Sequence, residues 1–211
     1  MIDLQEQLMT YVEAHTTPQS ELLYQLYRET HLKTLAPQMA AGHFQGELLK
    51  MISSMIRPKA ILEVGTFTGY AALCLAQGLE EGGKLYTIEV NEELEDLIRR
   101  YIQQAKAEHQ IELHIGDAGK IIPNLEIQFD LVYIDAGKRY NDLYYDLVFE
   151  KVRQGGFILI DNVLWSGKVT ESKKDKDAER IDAFNKKVHH DNRVENVVLP
   201  IRDGVTLVRK L

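Results

Sequence analysis

From residue 58 onward the chain switches regularly between two hydrophobic spacings. Short apolar runs of strand length stand at 60–64, 84–89, 111–115, 129–134 and 157–160, and Gly, Asp or Asn follows most of them. Runs this short and this apolar predict strands buried on both faces. Between them, apolar residues return at helical spacing. This predicts helices over 69–79, over 91–107 with Asn91 as cap and Leu94, Leu97, Ile98 and Tyr101 facing inward, over a short stretch after Gly116-Asp117-Ala118, over 141–151 and over 177–190. Gly155-Gly156 reads as the turn into the fifth strand. Two β-rich segments, 194–199 and 205–210, flank Arg202-Asp203-Gly204, and Asp-Gly between apolar runs predicts an antiparallel hairpin. The sum is an α/β fold. Five parallel strands form a doubly wound sheet with helices on both faces, and an antiparallel C-terminal hairpin at one edge brings it to seven strands.

The segment before the sheet has a different rhythm. One helix is predicted over 3–15, with Leu4, Leu8, Met9 and Val12 on one side, and a second over 20–34, capped by Ser20 and carrying Leu22, Leu23, Leu26 and Tyr27. Pro37, Gly42 and Gly46 mark an irregular stretch before a helix over 44–56, with His43 as a solvated loop residue. These extra N-terminal helices have no strand partner; they either cover a pocket or meet a second copy of the chain. No repeat or linker divides the sequence, so residues 1–211 form one domain, with N-terminal helices over 1–57 and the sheet core over 58–211.

Composition narrows the function. The chain is 45% hydrophobic and 27% charged, ordinary for a globular domain of 211 residues, and its net charge of −7 disfavours nucleic acid as the principal partner. No apolar run approaches the roughly 18 residues of a membrane span, and Met1-Ile-Asp-Leu-Gln-Glu has no apolar signal core, so no membrane partner and a cytoplasmic location are expected. The single cysteine, Cys74, excludes an internal disulfide. Set among Ala71, Ala72, Leu73 and Leu75, it reads as a small core residue in a reducing compartment.

The chemistry centres on Ile61-Leu-Glu-Val-Gly-Thr-Phe-Thr-Gly-Tyr70, a strand, a glycine turn and a helix start. A turn of this kind brings bare backbone and a helix N-terminus against a ligand. The glycine spacing is Gly65-x-x-x-Gly69 rather than G-x-G-x-x-G, and Phe67 argues against a pyrophosphate on the turn. Glu63 would repel phosphate but suits a cation such as the sulfonium and ammonium of S-adenosylmethionine. Glu89 ends the second strand, where an acid meets ribose hydroxyls or caps the next helix.

Ligands of open parallel sheets bind beyond the carboxyl ends of the strands. There the sequence places Glu63, Glu89, Asp117, Asp135, Asp161 and Asn162, five acids and one amide. Carboxylates brought so close repel, and a cation resolves the repulsion. Asp135, Asp161 and Asn162, at the ends of neighbouring strands, are hard oxygen donors suited to Mg²⁺, with Mn²⁺ or Ca²⁺ also compatible; the alternative is that Asp161 and Asn162 cap a turn. The seven histidines show no zinc spacing. Lys138, three residues after Asp135, is either a general base beside the metal or an exposed lysine next to Arg139.

Six motifs in order now carry a resemblance: Glu63-Val-Gly-Thr-Phe-Thr-Gly-Tyr70, Thr87-Ile-Glu-Val90, Gly116-Asp-Ala118, Tyr133-Ile-Asp-Ala-Gly-Lys138, Asp161-Asn-Val-Leu-Trp-Ser-Gly167 and Leu199-Pro-Ile-Arg-Asp-Gly204. From about residue 39 to the end, the chain resembles the cation-dependent O-methyltransferases of the catechol and caffeoyl-coenzyme A type. That resemblance implies a Rossmann-like methyltransferase fold, a homodimer, and methyl transfer from S-adenosylmethionine to a hydroxyl of an aromatic diol held on a divalent metal. It implies cofactor contacts at Met39, Ala41, Glu63, Gly65, Tyr70, Ala71, Glu89, Ala118 and Asp135, metal at Asp135, Asp161 and Asn162, and a catalytic role for Asp135 and for Lys138 as base. Ala71 stands where the family commonly has Ser, and Gly137 where the plant-type motif has an acid. Trp165 either walls the substrate or packs in its loop, and 172–177 reads as a solvated loop or a lid. The competing readings are an NAD-dependent oxidoreductase and a non-catalytic protein on a methyltransferase scaffold.

Overall fold

A computed structural model of the chain describes residues 4–211. Met1, Ile2 and Asp3, and the side chains of residues 4–6, lie outside the described residues, and with them the start of the helix predicted over 3–15, its Leu4 and the segment read for a signal core.

Three helices precede the sheet: α1 (Leu4–Ala14), α2 (Glu21–Lys33) and α3 (Gly42–Ile56). Then β1 (Ala60–Val64), α4 (Tyr70–Ala76), β2 (Lys84–Glu89), α5 (Glu95–Gln104), β3 (Ile111–Ile115), α6 (Ala118–Asn124), β4 (Phe129–Ile134), α7 (Asn141–Phe149), β5 (Val152–Asp161), α8 (Lys176–His189), β6 (Val194–Leu199) and β7 (Val205–Lys210) follow. The seven strands lie in the order β3-β2-β1-β4-β5-β7-β6. β1 to β5 are parallel, and β7 runs antiparallel to both β5 and β6, as the hairpin signal predicts.

Local chemistry explains the ends. Ser20 caps α2 by accepting from Leu23 N (3.3 Å), and Asp175 caps α8 by accepting from Ala178 N (2.8 Å). Acids in the first turn of α8 and Lys186, Lys187 and His189 in its last turn complement the helix dipole. α3 ends on Arg57 in the left-handed region, with Pro58 next.

Every residue of β1 is buried, as a central strand requires. One face of the sheet sets Ile61, Leu85, Leu131 and Leu159 against Leu26, Leu49, Leu75 and Ile98 from α2 to α5. The other sets Leu62, Val132, Ile158 and Val208 against Ile122, Tyr145, Val148 and Phe184 from α6 to α8. Each such side chain contributes about 1.5–3 kcal/mol through burial. Cys74 is buried among the first group. α2 and α3 thus belong to the main core, while Leu8, Tyr11, Leu32, Met51 and Met55 on α1 to α3 stay exposed.

Several boundaries differ from expectation. β5 starts at Val152, so Gly155-Gly156 lies inside the strand rather than ahead of it. Pairing with β4 passes from Phe129↔Val152 to Leu131↔Phe157, so the intervening residues bulge. Gly155 takes φ +74°, and a Cβ on Gly156 would crowd Val152 (2.8 Å) and the Arg153 carbonyl (3.0 Å). The glycines mark a bulge rather than a strand end. α3 starts at Gly42, two residues early. The helix expected over 91–107 opens as a 3₁₀ turn, Glu92–Leu94, and ends at Gln104. α4 stops at Ala76 and α7 at Phe149, just before Val152 enters the sheet.

Candidate active site

The strand order reverses between β1 and β4, and a cavity of about 1160 Å³ opens above the carboxyl ends there. Met39, Ala41, Gly65, Tyr70, Ala71, Glu89, Ala118, Asp135, Lys138, Asp161, Asn162 and Trp165 all line it. His43 does not; its ring bonds the Thr17 carbonyl (2.6 Å). Glu63 does not reach the wall either, and lies buried behind it. The 172–177 segment stands apart, with Lys174 paired to Asp182 (3.0 Å) and Asp175 to Lys168 (2.9 Å).

One end of the cavity is built from the β1 and β2 turns. Gly65 has φ +101°, and a Cβ there would run into the Asp135 carbonyl, so the two strand ends can meet only at glycine. Gly65 N and Thr66 N both donate to the Ile88 carbonyl (3.0 and 3.2 Å). Glu89 accepts from Phe67 N (2.7 Å) and Asn91 N (2.9 Å), so two backbone amides aim its carboxylate at the cavity. Asp117 caps α6 by accepting from Gly119 N (2.8 Å), which sets Ala118 on the wall. The N-terminal helices brace this end: Thr30 donates to Thr68 (2.9 Å), and Tyr70 OH donates to Gln19 (2.7 Å).

Beneath the wall, Thr87, Glu63 and Tyr133 form one row across β2, β1 and β4. Thr87 donates to Glu63 Oε2, while Oε1 is buried without a hydrogen-bond partner. Burial pushes the Glu63 carboxyl up to about 8; the Thr87 bond opposes this, and the charges of Asp135 and Glu89 add to it. Glu63 is thus a buried, protonated acid behind the wall; what this end offers a ligand such as S-adenosylmethionine is the bare glycine turn and the Glu89 carboxylate.

The other end belongs to β4, β5 and the terminal hairpin. Lys138 Nζ donates to Asp135 Oδ1 (2.9 Å). Burial raises the Asp135 pKa above the ordinary carboxylate value; Lys138 opposes the shift and the neighbouring Asp161 charge adds to it. Asp161 Oδ2 accepts from Gln45 Nε2 (2.5 Å) and Tyr133 OH (2.9 Å), and Asp161 Oδ1 accepts from Asn162 N (2.7 Å). Asn162 sits at φ +59°, a left-handed position that asparagine tolerates. Among the described residues, no three of His, Cys, Asp and Glu converge as a metal site. Asp135, Asp161 and Asn162 line the same cavity, and two carboxylates with an amide oxygen are a donor set whose chemistry would suit a hard divalent cation.

Sequence reasoning missed the support of this set. Gln45 and Tyr133 are buried polar residues, and Arg202 Nη1 donates to Gln45 Oε1 (2.7 Å), to Ala40 O (3.2 Å) and to Ala41 O. Gln45 Nε2 also lies 2.9 Å from Tyr133 OH. The available signal was a polar side chain at buried spacing in α3 and a tyrosine hydroxyl in the apolar run Leu131–Ile134 of β4.

Comparison with known proteins agrees with this architecture. The O-methyltransferase family matches residues 13–211. Tricin synthase 2 of Oryza sativa subsp. japonica is 36% identical over 186 residues, which are 82% of this chain and 64% of the rice protein, so the chain spans just under two thirds of that relative's length. Caffeoyl-CoA O-methyltransferase 2 of Populus trichocarpa is 29% identical over 222 residues, covering 92% of this chain and 90% of the poplar protein. The crystal structure of an O-methyltransferase from Bacillus cereus in complex with S-adenosylhomocysteine superposes with a TM-score of 0.89 at 26% identity, covering 97% of each chain. With its sheet order, its glycine cradle and a family match over nearly its whole length, the chain belongs to the O-methyltransferase family.

Proposed function

We propose that this protein transfers a methyl group from S-adenosylmethionine to a hydroxyl of a catechol-like aromatic diol, with the acceptor placed by a divalent cation. The observation that carries the reading is the meeting of Asp135, Lys138, Asp161 and Asn162 at one end of a cavity whose other end offers Gly65, Glu89 and Ala118. Caffeoyl-CoA and SAH in the names of relatives support the acceptor class and the cofactor.

Glu89, held by two amides, presents its carboxylate to the ribose hydroxyls. The glycine turn receives the methionine end, where Ala71 offers no side-chain hydroxyl and backbone amides take that role. A cation held by Asp135, Asp161 and Asn162 would lower the pKa of a chelated hydroxyl. Lys138, whose Nζ donates to Asp135 in the structure, would accept the acceptor's proton at Nζ only as the free amine, once Asp135 is taken up by a bound cation and the ammonium proton has left to solvent. The acceptor oxygen then bonds to the methyl carbon as the carbon–sulfur bond breaks, and S-adenosylhomocysteine leaves. Trp165 and Met39 shield the reacting atoms from water, which favours a displacement that cancels charge. The exposed apolar side chains on α1 to α3 are consistent with a homodimer.

The test is product mass spectrometry on a panel of catechols with S-adenosylmethionine, after EDTA and again after Mg²⁺ addition. Gain of one methyl group only with Mg²⁺ is the expected result. Methylation indifferent to EDTA would remove the metal role, and S-adenosylhomocysteine binding without any product would favour a non-catalytic scaffold.

A further inference from the structure

Four cations line the cavity, and they are not matched to its acids. Lys138 pairs with Asp135. Lys120, Arg139 and Arg202 line the same cavity and, among the described residues, form no ion pair with a carboxylate. Arg139 instead lies over the Tyr140 ring (4.7 Å).

Arg202 is the one whose direction is fixed. All its hydrogen bonds leave from Nη1, to the Ala40 and Ala41 carbonyls and to Gln45 Oε1. Its Nε and Nη2 donate to nothing within the described chain. Those two nitrogens form the edge of a guanidinium that forks onto a carboxylate with two parallel hydrogen bonds. One nitrogen thus anchors the side chain, and the recognising edge is left free at the cavity.

The neighbours place this edge at the acceptor end. The loop between β6 and β7 that carries Arg202 is stitched to the segment after Asn162: Val163 N donates to the Gly204 carbonyl (3.1 Å), Leu164 N to the Asp203 carbonyl (2.9 Å) and Ser166 N to the Asp203 carboxylate. That segment carries Trp165. Gln45, which accepts from Arg202, donates to Asp161. The free fork therefore stands one hydrogen-bonded side chain away from a proposed metal ligand.

Filling the site does not use up this charge. In the structure the charge of Arg202 acts on Asp135; a dication held by Asp135 and Asp161 would take up those two carboxylates and leave the free edge of Arg202 to the acceptor. Arg202 is exposed at this end, so its free edge is open to an incoming acceptor, and a guanidinium fork suits an anionic group there. We propose that Arg202 reads an anionic group on the acceptor, so that the preferred acceptors are aromatic diols bearing a carboxylate. This rests on the diol reading above and adds the acceptor's charge to it.

Isothermal titration tests it on the protein loaded with S-adenosylhomocysteine and Mg²⁺, where no turnover intervenes. The probes are protocatechuate and its uncharged methyl ester. The wild type binds the acid about tenfold or more tighter than the ester, the scale of a charge-assisted hydrogen-bond pair. Arg202→Met brings the ratio of the two affinities near one, and Arg202→Lys, which keeps the charge without the fork, retains part of it. Gln45→Leu, which disturbs Asp161 but keeps the carbonyl anchors of Arg202, weakens both probes alike and preserves the ratio. Equal wild-type affinity for acid and ester, or an unchanged ratio in Arg202→Met, overturns the proposal while leaving the diol reading intact. Binding of neither probe to protein that still binds S-adenosylhomocysteine overturns both.

Discussion

The two ends of the cavity are built in different ways. At the β1–β2 end, backbone does most of the shaping: Gly65 and Thr66 amides turn onto Ile88, and two amides orient Glu89. At the β4–β5 end, side chains do it: Arg202 holds Gln45, Gln45 and Tyr133 hold Asp161, and Lys138 holds Asp135. The backbone-built end suits a ligand that is the same in every turnover. The side-chain-built end can be altered one residue at a time, so the acceptor is the part of the chemistry that this scaffold can change without rebuilding its cofactor turn.

The sharpest way to break this division is Asp161→Ala. Methyl transfer stimulated by Mg²⁺ should fall by about a thousandfold or more, while affinity for S-adenosylhomocysteine should change less than about threefold. Turnover assays and calorimetry on the same preparation read both, and a parallel loss of cofactor binding would show that the two ends act as one.

Gly65→Ala attacks the point where the ends touch. A Cβ at φ +101° facing the Asp135 carbonyl should cost about 2–4 kcal/mol of stability and weaken cofactor binding as well. Denaturant unfolding checks the first, and an unchanged midpoint would mean that β1 and β4 can separate at no cost.

A smaller effect sharpens the cofactor end. Glu63 keeps its proton in the folded protein up to about 8, whereas its ordinary value is 4.5. Between these two values the unfolded chain is ionised and the folded one is not. Protons therefore stabilise the fold, and stability of the ligand-free protein should decline as pH rises through this window, by at most about 1.4 kcal/mol per pH unit from this group. Glu63→Gln should flatten that decline, as read by denaturant unfolding across the window. A slope identical to wild type would place the titrating group elsewhere.

Much of the molecule was legible from the chain. The strands at 60–64, 84–89, 111–115, 129–134, 194–199 and 205–210 match the structure in both position and length, because buried strands leave short apolar runs and the loops between them leave glycines and acids. Where reading failed, a local signal had two tertiary meanings. Gly155-Gly156 suits a turn and a bulge equally well, and only the pairing of Val152 with Phe129 selects the bulge. Glu63 was expected to touch the cofactor; the pleat of β1 turns it under the wall, into a row with Thr87 and Tyr133.

What the sequence determined by itself is the order of elements, the sheet class and the acids at the strand ends, since hydrophobic period and turn chemistry act between near neighbours in the chain. Only the tertiary structure decided which side chains serve those acids. Gln45 reaches Asp161 from 116 positions away, and Arg202 reaches Gln45 across 157. No local preference links residues at such separations; they meet because α3 packs against β4 while the hairpin loop is stitched to the segment after β5, the strand next to β4, and the buried polar atoms of Gln45 and Asp161 must find partners there.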